Sequence, residues 1–401
     1  MTTIRNIRIR KILDSRGNET VEVDVITDNG LGTMSAPSGA STGIHEVDAF
    51  PKKGVDEGIL LFKKKVIPKL LGMDARDQLG IDGTMKELDG SPKLSNVGGN
   101  IIVAASVATA KASADALNIP LFMYLGGRFV KHFPYPLGNM IGGGKHAVGG
   151  TDFQEYLVCA IDPSPKRTIF ANAKVHKAVK KALATAMPNT PLGKGDEGAW
   201  IAPMTDEEAL KLVSGVCATI SKEVGFDVRP SLDIAASSFY EKGQYVYKKG
   251  KKSPKEQVKF VAELIKKYTL HFVEDPLEED DFAGFAELTD LVGKQCLICG
   301  DDLFVTNKER LLEGIKQGAA NAILVKLNQI GTLSDTIETI KVAHEHRYKT
   351  VISHRSGETT DESIAHIGVA FGCHAIKTGA VGGERIAKLN ELVRIADYLG
   401  L

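Results

Sequence analysis

From about residue 225 onward the chain repeats one unit, a short apolar run followed by a longer amphipathic stretch. The runs lie near Leu232, Phe272, Ile298, Leu324, Ile352 and Ile376. Strand then helix, six times in succession, is the pattern of a parallel sheet with helical crossovers, and such a sheet closes into a barrel. Helix-start signals agree. Ser253-Pro254-Lys255-Glu256 offers a capping serine, a proline in the first turn and a glutamate three residues on, which is a capping box. Thr332 with Asp335 suggests a similar start after Lys326.

Upstream the rhythm differs. After Pro134 and Pro136, two extended runs, Leu137 to Ile141 and Phe153 to Ala160, flank a glycine-rich loop, and two long helical patterns follow, Lys166 to Ala186 and Asp206 to Val224. The barrel therefore opens irregularly, ββαα, before it settles into βα units. A barrel needs roughly 250 residues, so 401 residues leave room for a smaller second domain. Its expected span is 1–134, with the barrel over 135–401.

In that first domain, Ile4 to Ile12 and Thr20 to Thr27 alternate as strands do, and Asn29-Gly30 makes a hairpin turn into Leu31 to Ala36. Helical patterns follow at Val55 to Leu71 and Gly99 to Leu117. The second is so rich in small residues that its neighbours must pack closely. The expected fold class is α/β: a C-terminal (β/α)8-type barrel with a smaller N-terminal α+β domain.

The charges are balanced, 50 basic against 50 acidic, without blocks of one sign, so nothing favours nucleic acid or a membrane surface as partner. Met1 to Lys11 alternates like a strand and lacks the apolar centre of an export signal. The most apolar stretch, Ile101 to Ala110, is far shorter than the ~20 residues that span a bilayer and reads as a buried helix. Five scattered cysteines suit a reducing cytoplasm. Cys296 and Cys299 form a CxxC inside a strand, with no second pair to complete a zinc site.

The strand ends carry the chemistry. In order they read Leu232-Asp233, Val273-Glu274-Asp275, Gly300-Asp301-Asp302, Val325-Lys326, Ser353-His354-Arg355-Ser356 and Ile376-Lys377. All emerge on the C-terminal face, where barrel active sites are built. Asp233, Glu274 and Asp301 converging there would repel one another unless a cation sat between them. Oxygen ligands of this kind suit a hard divalent ion such as magnesium. The plainer alternative is that each caps a helix or meets a surface lysine.

Lys326, close to such a cation, would lose proton affinity and could serve as a base. Lys377 would either pair with the carboxylates or clamp a substrate anion. Arg355 and Ser356 offer a fork and a hydroxyl suited to phosphate or carboxylate. The loop Gly142 to Gly150 holds His146 and leads to Gln154-Glu155. Its glycines suggest a mobile flap or close backbone approach. Gly195-Asp196-Glu197-Gly198 lies between two helices and could place a proton donor opposite Lys326. Ser38 to Gly43 has no Walker lysine pattern.

These strings together resemble the enolase family over nearly the whole chain: Asp14-Ser15-Arg16-Gly17-Asn18, Pro37 to Gly43, Gly195 to Gly198, Glu274-Asp275-Pro276, Gly300 to Leu303, Lys326 to Thr332, Ser353 to Thr359 and Lys377 to Ala380. The resemblance implies reversible dehydration of 2-phosphoglycerate to phosphoenolpyruvate, the step shared by glycolysis and gluconeogenesis, with two Mg2+ per site. It makes Asp233, Glu274 and Asp301 ligands of the first ion and Ser41 a flap residue that helps hold the second. It makes Lys326 the base at C2, Glu197 the acid at the C3 hydroxyl and Glu155 that acid's partner.

By the same resemblance Lys377, Arg355 and Ser356 hold the substrate's carboxylate and phosphate, with Gln154 and Ser41 also at the substrate, and His146 and His354 stand near the phosphate and leaving group. A homodimer or larger homo-oligomer is implied too. The chain departs from the family pattern after His45-Glu46, where Val47 to Gly54 replaces a charged segment, and after Ala380, where Val381-Gly382-Gly383-Glu384-Arg385 is shorter than usual. The form around Trp200 is similar to archaeal members. Two other readings share the scaffold: an acid-sugar dehydratase or racemase with its own base and loops, and a non-catalytic structural or adhesion protein.

Overall fold

The computed structural model describes residues 1–39, 43–130, 132–147 and 149–401, with His146 described in its backbone alone. Eight strands close into a barrel, the eighth pairing with the first. In chain order they are Tyr135–Gly142, Glu155–Ile161, Asp227–Asp233, Phe272–Glu274, Leu297–Gly300, Ala322–Val325, Lys349–Ser353 and Ala375–Lys377.

All neighbouring pairs are parallel except those of the second strand, which runs antiparallel to the first and third. The six βα repeats form the parallel part of the barrel, as expected, and the irregular ββαα opening is where the direction reverses. A parallel return uses a crossover that is usually an α-helix, whereas among the described residues of the 143–154 connection there is only a 3-10 turn, Gly144–His146, and the strand returns beside the first as an antiparallel hairpin. One consequence is functional. The second strand brings its first residue, Glu155, to the face where the other strands end, opposite Gly142 and Asp233.

The barrel interior holds Leu137, Leu157, Cys159, Phe272, Cys299, Ala322, Leu324, Val351 and Ala375. Because side chains alternate with period two along a strand, the next inward position towards the C-terminal face can be read directly. It is Glu274 after Phe272, Asp301 after Cys299, Lys326 after Leu324 and Lys377 after Ala375. An apolar layer thus ends in a charged one. Cys159 and Cys299 are buried free thiols of that apolar layer.

The first domain is an antiparallel meander, Ile4–Leu13, Glu19–Thr27 and Leu31–Ser35, packed on the buried helix Gly99–Ala116. The small residues of that helix have the expected effect: a Cβ placed on Gly32 would lie 2.0 Å from the Ala108 carbonyl oxygen. The helical pattern at Val55 to Leu71 is interrupted by a π-helical turn, Phe62–Val66. Pro68 lacks an N–H and crowds the carbonyl four residues back, which widens the preceding turn.

Among the described residues, helices that escaped the sequence reading include Gln78–Asp89, Leu121–Gly126 and the single turn Leu327–Ile330. So did a small antiparallel sheet, Tyr240–Glu241, Gln244–Tyr247 and Gly250–Lys252, inserted between the third barrel strand and its helix. The capping box at Ser253 and the cap at Thr332 form as expected. No helix among the described residues is long and apolar enough to cross a membrane.

The domains are joined over the barrel mouth. Ser38 and Gly357 exchange backbone hydrogen bonds of 2.7 and 2.8 Å, and Asn328 Nδ2 donates to the Pro37 carbonyl at 3.1 Å. The buried Lys111 ammonium reaches Asp361 at 2.8 Å and Glu362 at 3.1 Å.

Candidate active site

The charged layer is organised around two buried lysines. Lys377 Nζ lies 2.9 Å from Asp233, 2.8 Å from Glu274 and 3.3 Å from Glu155. Lys326, the residue after the sixth strand, pairs with Asp301. Gln154 Nε2 donates to Asp233 at 3.1 Å, and Gln329 Nε2 donates to Asp301 at 2.9 Å. All six charged groups are buried or nearly so.

Four carboxylates here face two ammonium groups. That surplus of negative charge is costly away from water. Burial, then the Asp233 charge, pushes the Glu274 carboxyl well above the carboxylate range. Burial pushes Asp301 the same way, but the Lys326 ammonium outweighs it and leaves Asp301 below its ordinary value. Burial acts downward on Lys326, and the Asp301 charge more than offsets it. A donor set of buried oxygens with an unbalanced negative charge fits a divalent hard cation.

Among the described residues, the carboxylates whose oxygens lie within 4.8 Å of one another are Asp275, Asp301 and Asp302; of the expected set Asp233, Glu274 and Asp301, only Asp301 is in that group. Lysines separate the expected set: Lys377 lies against Asp233 and Glu274, while Lys326 holds Asp301. Asp275 is committed elsewhere. Its oxygens accept the Asp301 and Asp302 N–H groups at 2.8 and 2.9 Å, which anchors the loop that carries Asp301.

Glu197 sits in the tight turn between the short strands Gly193–Lys194 and Trp200–Ile201, a hairpin where the sequence suggested only a connection. Trp200 pairs with Ile141 of the first barrel strand and stacks on His176 at 5.1 Å. The His176 Nε2 is 2.9 Å from the Gly198 carbonyl. Glu197 Oε2 is thereby held 3.3 Å from Asn139 Nδ2 and 3.3 Å from His354 Nε2. Burial lowers His354 to about 4 despite the neighbouring Glu197 charge, so its ring is neutral near pH 7.

Arg355 makes a two-pronged contact with Glu46 of the first domain, 3.0 and 3.1 Å, and a third bond of 2.8 Å to Asn328. Its guanidinium is oriented by the other domain. Ser356 is buried beside it. One cleft is lined by Gly39, Glu155, Glu197, Lys326, Arg355 and Lys377, among others. Ser41 lies outside the described residues, as does the side chain of His146. In the glycine-rich loop, close backbone approach is real: a Cβ on Gly143 would meet Thr151 Oγ1 at 2.0 Å.

Sequence reasoning missed Glu46, Asn139, Gln329 and Arg385. Asn139 had a usable signal, being a polar residue in an otherwise apolar strand. Glu46 had none, because its partner is 309 residues away. A roomier groove between the helices Pro165–Ala186 and Asp206–Val224, lined by residues such as Ala182, Met187 and Leu212, contains none of the barrel-end groups.

Comparison with known proteins converges on one family. Residues 130–401 match "Enolase, C-terminal TIM barrel domain" and residues 4–125 match "Enolase, N-terminal domain". An enolase of Methanothermobacter thermautotrophicus is 54% identical over 402 residues, covering 99% of this chain and 97% of its own. An enolase of Methanocorpusculum labreanum is 51% identical over 403 residues, covering 99% and 100%. One from Thermoplasma acidophilum is 46% identical over 396 residues, covering 99% and 98%.

Proposed function

Because the chain belongs to the enolase family and is a phosphopyruvate hydratase, a hydro-lyase, we propose that its buried barrel-end charges perform the reversible dehydration of 2-phosphoglycerate to phosphoenolpyruvate. The observation that carries this reading is the paired arrangement of Lys326 with Asp301 and of Lys377 with Asp233 and Glu274, facing Glu197 across one cleft.

In this reading Lys326 Nζ takes the proton from C2 of the substrate. A lysine base working with magnesium is an established feature of the enolase superfamily, carried over to Lys326. In the pairing with Asp301 the amine is held charged, so it becomes a base only when positive charge arrives beside it. Asp233, Glu274 and Asp301 would hold one Mg2+, and Ser41 would contribute to a second. Bound magnesium supplies positive charge to the substrate's carboxylate end, which makes the adjacent C2 hydrogen acidic.

Glu197 protonates the departing C3 hydroxyl, with Glu155 as its partner across the cleft and His354 beside it. Lys377, Arg355 and Ser356 hold the carboxylate and phosphate, aided by Gln154, His146 and Ser41. Arg355 is suited to this because Glu46 and Asn328 fix its plane in advance, which lowers the cost of ordering it around an anion. We also place the domain boundary between residues 134 and 135, the enzyme in the cytoplasm, and the working form as a homodimer or larger homo-oligomer.

The test is an absorbance assay for phosphoenolpyruvate formation from 2-phosphoglycerate with Mg2+. Product formation that stops on chelation supports the reading. No product, with turnover of an acid sugar instead, would establish the dehydratase or racemase alternative. Loss of all turnover would favour a structural role, but Asp233, Glu274, Asp301, Lys326 and Glu197 are all present, which speaks against a decayed site.

A further inference from the structure

Arg385 is wholly buried at the start of the last helix, Gly383–Leu399, and points towards the barrel mouth. Its terminal nitrogens carry four hydrogens, and the structure offers four acceptors. One nitrogen reaches His354 Nδ1 at 2.8 Å and the Arg355 carbonyl at 2.6 Å. The other reaches the Ser356 carbonyl at 2.7 Å and the Asp196 carbonyl at 3.2 Å. One side chain therefore ties the His354-Arg355-Ser356 strand end to the turn that carries Glu197.

The contact with His354 has a chemical consequence. A guanidinium donates and cannot accept, so His354 Nδ1 must be the accepting, unprotonated nitrogen. In the neutral ring the proton then resides on Nε2, the atom 3.3 Å from Glu197 Oε2. We propose that Arg385 is a positioning residue that fixes His354 in the Nε2–H tautomer, so that a proton-bearing nitrogen and not a proton acceptor stands beside Glu197, ready to donate when the carboxylate forms. The inference rests on the reading of Glu197 as the acid at C3.

The donor has a definite use in that reaction. When Glu197 gives its proton to the leaving hydroxyl it becomes a carboxylate; Asn139 Nδ2–H already donates to its Oε2, and His354 Nε2 stands 3.3 Å from the same oxygen with no hydrogen bond yet formed among the described residues, so its proton can close on that oxygen as charge develops. Hydrogen bonds that strengthen as charge develops lower the barrier. The charged and titratable groups around the ring are Glu197 on one side and Arg385 on the other, with Glu358 further off. The His354 backbone N–H is bonded to the Lys377 carbonyl. Glu197 and Glu358 favour a charged ring, and burial with Arg385 opposes it, so removal of the guanidinium both frees Nδ1 and takes away a repelling charge.

The direct test is 15N NMR of imidazole nitrogens in the full-length, Mg2+-loaded enzyme, with the His354 signals identified by their loss in His354→Asn. The expected result is an unprotonated Nδ1 and a protonated Nε2, unchanged from pH 8 to pH 5.5. A protonated Nδ1 in the wild-type enzyme overturns the proposal outright, whatever Glu197 does. In Arg385→Gln, the ring should titrate within that range, and the pH profile of kcat should gain an acid limb absent from the parent, with kcat down tenfold or more and KM changed far less.

Arg385→Lys keeps a charge but cannot span four acceptors, and should fall between the two. A uniform loss of kcat in Arg385→Gln with the parent's pH profile would mean that Arg385 is merely structural. If the NMR result holds while Glu197→Gln retains full dehydration, it is the Glu197 assignment that fails.

Discussion

Lys377 and Glu274 meet at 2.8 Å at the mouth end of the barrel, each almost fully buried, and the same ammonium also reaches Asp233. In the absence of metal, Lys377 is the cation that makes these acids tolerable. Removing one partner of a buried ion pair typically costs about 3–5 kcal/mol. Lys377→Met should therefore destabilise the metal-free protein by about that amount. Mg2+ binds only the folded site and should restore more stability to the variant than it gives the parent. Thermal unfolding with chelator and with saturating Mg2+ measures both. Equal Mg2+ gains in the two proteins would show that Lys377 does not serve as the counter-charge.

The division of labour between Lys326 and Glu197 predicts that the two half-reactions separate. Lys326→Ala removes the base and should abolish exchange of the C2 proton with solvent, lowering it by about three to four orders of magnitude, at the upper end of a general base's usual contribution. Glu197→Gln should slow dehydration about as much while some C2 exchange survives. Deuterium uptake by 2-phosphoglycerate, followed by NMR, reads the first step alone. Exchange at the parental rate in Lys326→Ala would assign the base elsewhere.

Close backbone packing in the first domain gives a prediction remote from the site. A Cβ on Gly32 would lie 2.0 Å from the Ala108 carbonyl and 2.3 Å from the Ala112 nitrogen, both backbone atoms of a buried helix that cannot move singly. Gly32→Ala should cost about 3 kcal/mol, the upper part of the usual overpacking range. Chemical denaturation should show a lower midpoint with an unchanged slope. A midpoint equal to the parent's would mean that strand and helix separate more easily than their packing suggests.

What the sequence made legible follows from how local each signal is. Strand ends such as Val273-Glu274 and Val325-Lys326 announce themselves because an apolar run meets a charge, and the caps at Ser253 and Thr332 lie within four residues of the backbone N–H groups they accept from. The antiparallel second strand could not be read from periodicity, since alternation says nothing about direction. Glu46 and Arg385 stayed hidden because their meaning lies in distant partners, Arg355 and His354. The separation of the carboxylates by lysines was equally invisible. Sequence order gives the strand on which a charge sits, but not which neighbour claims it.

At the opposite end of the barrel from the charged layer, His132, His271 and His374 form a stack, with ring centroids 5.6 and 6.1 Å from His374. His271 Nε2 and His374 Nε2 are buried without a hydrogen-bond partner among the described residues. Burial lowers His374 to about 3, aided by the positive charge that His271 and His132 would carry, and burial lowers His271 to about 4, aided by Arg229. The unfolded chain takes up these protons near pH 6.5, whereas the folded protein resists until pH 4 or below. Between those values the unfolded state binds more protons, so stability falls as pH is lowered. Each such histidine contributes a slope of about 1.4 kcal/mol per pH unit in that window. His374→Phe keeps an aromatic ring in the stack and removes one titrating group, so its stability should fall less steeply from pH 6.5 to 4 than the parent's, while the two converge in slope above pH 7. Urea unfolding at successive pH values, with Mg2+ held constant, compares the two curves. Parallel curves through the acid window would place the acid sensitivity in the carboxylates of the barrel mouth and not in this stack.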